Sequence, residues 1–144
     1  PRGGKYVSVI LNVHTKNEVK VFPHPVSAVS SDGTKAVSIN FSRLRITRAD
    51  YGYGGNGQDV RKDIPLPVDD GLFLLDLKTG SSKLIVSIDQ VKEMVPPTSG
   101  GAIEYFCHTR FLAGPGSSPG QIQMEYSCVY CEHRWQQCAA LFPG

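Results

Sequence analysis

The dipeptide Asp32-Gly33, placed between two runs of alternating small polar and apolar residues, is the feature that most limits what this chain can fold into. Glycine accepts a positive φ angle without steric cost, so Asp-Gly between two such runs indicates a tight β-hairpin turn. We therefore predict a pair of antiparallel strands within residues 26–41. Fifteen Gly and ten Pro among 144 residues also favour many turns over long helices, since average usage of the two together is about 12%.

Two further segments predict hairpins. Residues 5–22 place β-branched and aromatic residues around a polar tetrad, and residues 71–88 place two apolar runs around a Lys-Thr-Gly-Ser turn. The strand at 71–77 is apolar on both faces, so we expect it at the centre of a stack rather than half exposed. A short helical turn is predicted at 89–94. The predicted fold class is all-β, built from antiparallel hairpins with little helix, as in a sandwich or the blades of a propeller.

The long connection at residues 42–70 has no clear periodicity, and its composition suggests a ligand site. Connections of this length are usually functional or disordered. An arginine forks onto carboxylates and a tyrosine offers a stacking face with a hydroxyl, so an anionic or sugar ligand suits the segment. The alternative is a solvated, glycine-rich surface loop. The candidate ligand-binding residues are Arg45, Arg48, Tyr51 and Tyr53.

Three stretches together carry a family resemblance. They are residues 24–44 with their Ser-Asp-Gly-Thr-Lys turn, the Asp-Tyr-Gly-Tyr sequence at 50–53, and residues 69–80, which end in Asp-Leu-Lys-Thr-Gly. In this order they resemble bacterial β-propeller proteins of the oligogalacturonate-lyase-like and TolB-like kinds, whose blades carry Ser-Pro-Asp-Gly and Asp-Leu-x-Thr-Gly turns. The resemblance covers about residues 5–112.

The resemblance implies an incomplete propeller. Residues 5–22 would be the outer strands of one blade, residues 24–88 a full four-stranded blade, and residues 103–111 the opening of the next. The total is roughly two blades, whereas closed propellers have about four to eight. We therefore expect a propeller-blade-like domain at residues 1–112, incomplete as a monomer, followed by a Gly/Pro/Ser-rich linker and Cys-containing tail at 113–144. A homo-oligomer or a partner chain would complete the sheet.

The resemblance also implies a chemistry. Histidines near the central channel of such propellers help bind a divalent metal and a uronate sugar, which would implicate His24 and His108 here. Lyase chemistry removes a proton next to a carboxylate, and it needs a base and a cation that stabilises the enolate. The predicted catalytic set is His24 or His108 as base and Arg43 as cation, acting on an acidic oligosaccharide. The cofactor stays open, with a divalent metal, manganese or zinc, as the candidate.

The alternative for these residues is structural, with both histidines hydrogen-bonded at strand ends. The chain would then be a carbohydrate-associated binding or interaction module without full catalytic machinery, and whether it is an enzyme stays open. Other catalytic templates are absent from the sequence: there is no Gly-x-Ser-x-Gly elbow, no phosphate loop and no His-Glu-x-x-His helix.

Four cysteines near the end of the sequence suggest a metal. Cys128 and Cys131 have the two-residue spacing with which two thiolates hold one zinc ion, and residues 126–135 resemble the second half of a transcription-factor zinc ribbon. The first Cys-x-x-Cys of such a ribbon is missing, so Cys107 with His108 would have to supply the other ligands, and Cys138 is a further candidate ligand. This predicts a zinc-ribbon-like binding module as a third function, with paired disulfides and free thiols as open alternatives.

Charge and hydropathy restrict the partners. Fifteen basic and thirteen acidic residues give a net charge of +2, far from the concentrated basic surface that nucleic-acid binding requires. The sequence contains no run of 18 apolar residues, so no membrane partner is expected. The compartment stays open, and a periplasmic or secreted location in a bacterium is compatible with the resemblance.

Overall fold

The computed structural model describes residues 2–54, 59–94, 104–111 and 122–128. In these residues, strands in three antiparallel sheets dominate and two helices of seven residues each accompany them. The prediction of an all-β fold with little helix is confirmed. Neither helix of the described part is long and apolar enough to cross a membrane.

The predicted N-terminal hairpin is present. Strand β1 (Ser8–Leu11) pairs antiparallel with strand β2 (Glu18–Phe22). The side chain of Asn12 closes the turn between them, because its Oδ1 atom accepts the backbone N–H groups of His14 and Thr15 at 2.9 and 3.0 Å. Such side-chain-to-backbone bonding is why asparagine favours turns.

The central sheet has four strands in sequential order. They are β3 (Ala28–Val29), β4 (Lys35–Ser38), β5 (Gly71–Asp76) and β6 (Ser82–Ser87), each antiparallel to its neighbour. Both predicted hairpins of this region are confirmed. Strand β5, predicted at the centre of a stack, contributes Leu72 to one apolar core and Leu75 to the other.

Aspartates fix the turns of this sheet. The Asp32 carboxylate accepts the Ser30 hydroxyl at 2.7 Å and the Thr34 backbone N–H at 3.0 Å, while Gly33 takes a φ of 68°. These bonds favour the ionised carboxylate and lower the pKa of Asp32 to about 2. In the β5–β6 turn, Asp76 accepts two backbone N–H groups in the same way.

The central sheet packs an apolar core on each face, because successive side chains of a strand point to opposite sides. Val37 and Leu72 belong to the larger core, whereas their neighbours Ala36 and Phe73 belong to the smaller one. On the smaller side the hairpin β1–β2 covers the sheet through Phe22, which is buried against Ala36 and Leu75.

A third sheet covers the larger core. It consists of strand β7 (Glu104–Phe111), which contacts β3, β4 and β5, paired with strand β8 (Ile122–Cys128). Tyr105, Phe106 and Ile122 are all buried in this core. Strand β8 lies beyond residue 112, and residues 112–121 and 129–144 are outside the described part, so the domain boundary at 112 stays a prediction.

One of the two helices was not predicted. Helix α1 (Phe41–Thr47) begins one residue before the connection at 42–70, which shows no clear periodicity, and occupies its first six residues. Its N-cap is Asn40, whose Oδ1 accepts the backbone N–H groups of Ser42 and Arg43 at 3.1 and 3.0 Å. Helix α2 (Ile88–Met94) confirms the predicted helical turn at 89–94.

Candidate functional site

A cleft of about 620 Å³ lies where the N-terminal segment, the start of α1 and the loop before β5 meet. It is lined by residues 3–6, 23–25, 39–42, 59–61 and 69–70 and by Phe73. Ligand pockets in proteins commonly measure about 300–1,000 Å³. The volume is therefore sufficient for a small ligand such as a short saccharide.

His24, a predicted catalytic residue, lines this cleft. Its ring is stacked on Phe73 of β5, with ring centroids 4.3 Å apart and planes at 22°. Partial burial, and then the positive charge of Lys5, lower the pKa of His24 below its usual range. The neutral imidazole, which can accept a proton or a hydrogen bond, is the form that this position favours.

Asn40 connects the start of α1 to two aspartates of the cleft wall. While its Oδ1 caps the helix, its Nδ2 donates to Asp59 Oδ1 at 3.2 Å and to Asp70 Oδ2 at 2.7 Å. The two acceptor atoms therefore lie within hydrogen-bonding reach of one amide nitrogen. A single side chain thus links the start of α1 to Asp59 and to Asp70, the residue that precedes β5.

Asp70 is a buried carboxyl at the base of the cleft, 3% exposed. Besides the Asn40 amide it accepts the backbone N–H of Gly71 at 2.8 Å. Burial raises the pKa of Asp70 above its usual range, the hydrogen bond from Asn40 opposes this, and the charge of Asp59 adds to it. A carboxylate can accept about four hydrogen bonds, so the two from these described residues leave acceptor capacity.

The rim of the cleft carries an ion pair. Arg61 donates to Asp69 through Nε at 2.7 Å and through Nη2 at 2.5 Å, a two-point geometry typical of guanidinium and carboxylate. Hydrogen bonding between the two groups raises the pKa of Arg61 and lowers the pKa of Asp69. The pair therefore links Arg61 in the loop to Asp69, two residues before β5.

Aromatic rings form part of the cleft lining. Tyr6 and Phe41 line the cleft, and Tyr53 packs against both: its ring is stacked on Phe41 at 4.5 Å and meets Tyr6 edge-on at 5.0 Å. The Tyr6 hydroxyl also donates to the Gly54 carbonyl oxygen. Of the predicted ligand-binding residues, Tyr53 is thus the one that supports the cleft wall.

Arg43, the predicted catalytic cation, is buried beneath the loop and is not among the residues that line the cleft. Its Nη1 pairs with Asp59 at 3.4 Å, and its Nη2 donates to the carbonyl oxygens of Ile64 and Pro65 at 2.9 and 2.6 Å. These bonds hold the loop onto α1. Its catalytic assignment stays a prediction, and it would require the loop to open.

The remaining residues of the predicted ligand set make contacts within their own segment. Arg45 donates to the Ala49 carbonyl oxygen at 2.8 Å, and the Arg48 guanidinium lies 4.9 Å from the ring centroid of Tyr51. These three residues do not line the cleft described above. Their role in binding stays a prediction.

For the other predicted site residues only backbone positions are described. In the β7–β8 register, Cys128 lies opposite Glu104, and His108, next to Cys107, lies opposite Glu125. Cys131 and Cys138 lie outside the described residues. No group of three or more His, Cys, Asp or Glu side chains in the described part is arranged to hold a metal. The zinc site stays a prediction, for which elemental analysis of the purified protein is the measurement.

Most residues of the cleft were not predicted from the sequence, among them Asn40, Asp59 and Asp70. Asn40 had a local signal, because asparagine is a preferred helix N-cap, but the helix that follows it was not recognised. The two aspartates are brought together only by the fold of the loop. Sequence spacing alone does not indicate that contact.

Comparison with protein-family models, curated proteins and solved structures finds no match to this chain.

Proposed function

We propose that this chain is a propeller-related, carbohydrate-associated binding module that holds a saccharide in the cleft. The observation that carries the proposal is the combination, in one cleft, of the stacked rings of His24 and Phe73 with the Asn40–Asp70 pair. An aromatic surface suits the apolar face of a sugar ring, and planar polar groups fix the orientation of a bound ligand. Asp70 accepts hydrogen bonds from sugar hydroxyls.

The order of the sheets supports the relation to propellers. The four strands of the central sheet follow one another in sequence order, as in a propeller blade. The hairpins β1–β2 and β7–β8 pack on its opposite faces, in the positions that neighbouring blades would take. Completion of the stack by a homo-oligomer or a partner chain is part of the proposal, and sedimentation of the native particle tests it.

Calorimetric titration with short saccharides tests the binding proposal. We expect H24A to weaken binding about threefold to tenfold, because a stacked aromatic contact contributes about 0.5–1.5 kcal/mol. H14A is the matched control, since His14 is exposed in the β1–β2 turn and outside the cleft. Absence of binding to every saccharide, or equal effects of the two variants, would contradict the proposal.

A lyase is the second candidate function, favoured by the lowered pKa of His24 in a cleft. A neutral imidazole is competent to remove the proton next to a uronate carboxylate. The assay supplies oligogalacturonate and manganese and follows the ultraviolet absorbance of the unsaturated product. Product formation by the wild type and by H14A, but not by H24A, is the expected result; no product at high protein concentration rejects the lyase.

A further inference from the structure

We infer that the cleft takes an uncharged saccharide in preference to a uronate, because the guanidinium groups around it are already paired and a buried carboxylate lies at its base. The inference rests on the proposed function and specifies the ligand class. It differs from the acidic oligosaccharide that the sequence predicted. The preference is set by which charges of the site can reach a ligand.

The guanidinium group at the rim is engaged. Both donors of the Arg61 edge that faces Asp69 are used in a two-point ion pair. A ligand carboxylate would have to displace Asp69, a carboxylate of the same chemistry that is already held in place by the chain. Such an exchange gains little. The guanidinium donors that do not face Asp69 belong to a side chain that is 32% exposed, where water and salt weaken an ion pair, so Arg61 adds little to the affinity for a uronate.

The second guanidinium group, that of Arg43, is buried and does not line the cleft. Arg43 is 1% exposed, and its donors are directed to Asp59 and to loop carbonyl oxygens. Contact with a ligand would break a buried ion pair and leave Asp59 uncompensated, which is strongly unfavourable. Arg43 therefore balances the charge of Asp59 and does not attract an anion into the cleft.

The base of the cleft opposes a negative ligand. Asp70 is buried, and bringing a second carboxylate near it adds repulsion where solvent screening is weak. The same oxygen atoms are good acceptors for hydroxyl groups. Lys5 also lines the cleft and its charge reaches His24, but the side chain is exposed, so water and salt weaken its attraction for an anion.

Matched pairs of saccharides test the preference. The probes are trimers of galactose, glucose and mannose, each compared with the trimer of the corresponding uronic acid, titrated into the full chain at neutral pH. We expect the uncharged member of the binding pair to bind about tenfold more tightly. A ratio below threefold overturns the inference while leaving the proposed function intact, whereas no binding by any trimer removes the proposed function and this inference with it.

The variant D70N tests the cause. It removes the charge but keeps the shape of the side chain, so we expect the preference to fall below threefold through a gain in uronate affinity. D63N is the matched control, because Asp63 is exposed in the same loop and does not line the cleft. Unchanged discrimination in D70N overturns the role of Asp70. If D70N does not fold, titration of the wild type with the methyl esters of the uronic acid trimers replaces it. The ester removes the ligand's charge and keeps the carboxyl carbon, so its affinity should approach that of the uncharged trimer, and an affinity as low as that of the acid overturns the repulsion.

Discussion

Replacement of Arg43 by methionine removes the guanidinium group that holds the loop of residues 59–67 onto α1. Methionine keeps an apolar stem of similar length, so the change isolates the polar contacts. These are the ion pair with Asp59 and the hydrogen bonds to the carbonyl oxygens of Arg61, Ile64 and Pro65. The side chains of both Arg43 and Asp59 are 1% exposed.

The expected cost follows from that burial. Removing one partner of a buried ion pair leaves the other charge without compensation and costs about 3–5 kcal/mol. We therefore expect R43M to lower the free energy of unfolding by about 3–5 kcal/mol, a large part of the roughly 5–15 kcal/mol that stabilises a typical domain. Combined with D59N it should cost less than the sum of the single changes, by about 0.5–3 kcal/mol, because the two residues interact directly.

Urea unfolding followed by circular dichroism measures these free energies, and R45M is the matched control because Arg45 is exposed on the same helix. Hydrogen exchange should show loss of protection in residues 59–67 of R43M but not of R45M. A cost below about 1 kcal/mol for R43M, or equal costs for both variants, would refute the structural role of Arg43. That result would favour the prediction that Arg43 is a catalytic cation.

Three further predictions concern stability. G71A should cost about 1–3 kcal/mol, because an added Cβ atom would meet the backbone carbonyl oxygen of Val86 on β6; an unchanged urea midpoint would contradict this. L75A should cost about 2–5 kcal/mol, since Leu75 is fully buried in the smaller core, and a cost under 1 kcal/mol would show that this core collapses around the cavity. The lowered pKa of Asp32 means that its carboxylate stabilises the fold above the unfolded pKa of 3.8 and that this contribution is lost as pH falls towards 2. The melting temperature of D32N should accordingly fall less steeply than that of the wild type below pH 4, and parallel curves would argue against the turn contacts.

The turns made most of the sheet predictable. Asp32-Gly33 placed β3 and β4, and the Asp-Leu-Lys-Thr-Gly sequence ending at Gly80 placed β5 and β6. In both places a local requirement, positive φ at a glycine and a carboxylate that accepts nearby N–H groups, is visible in consecutive residues. Local requirements of this kind can be recognised in the sequence without knowledge of the rest of the fold.

The cleft was less predictable because its contacts join residues far apart in the chain. His24 was selected, but its stacking partner Phe73 lies on another strand. Arg43 looked like an available cation, since the sequence does not show that Asp59 would bury with it. The helix that carries Arg43 is only seven residues long, too short for hydrophobic periodicity to reveal it.

The apolar residues on both faces of β5 have a consequence for strand register. In a sheet with one solvent-exposed face, a register shift of one residue moves the apolar side chains into water. The free-energy cost of that exposure fixes the register. In β5 a slip would only exchange the side chains of the two cores, placing Phe73 where Leu72 or Leu74 had been. Hydrophobic alternation therefore discriminates poorly between the observed register of β5 and a register shifted by one residue. The task of fixing the alignment falls to the turns, so that Gly33 and Gly80 help to determine which residues of neighbouring strands face each other.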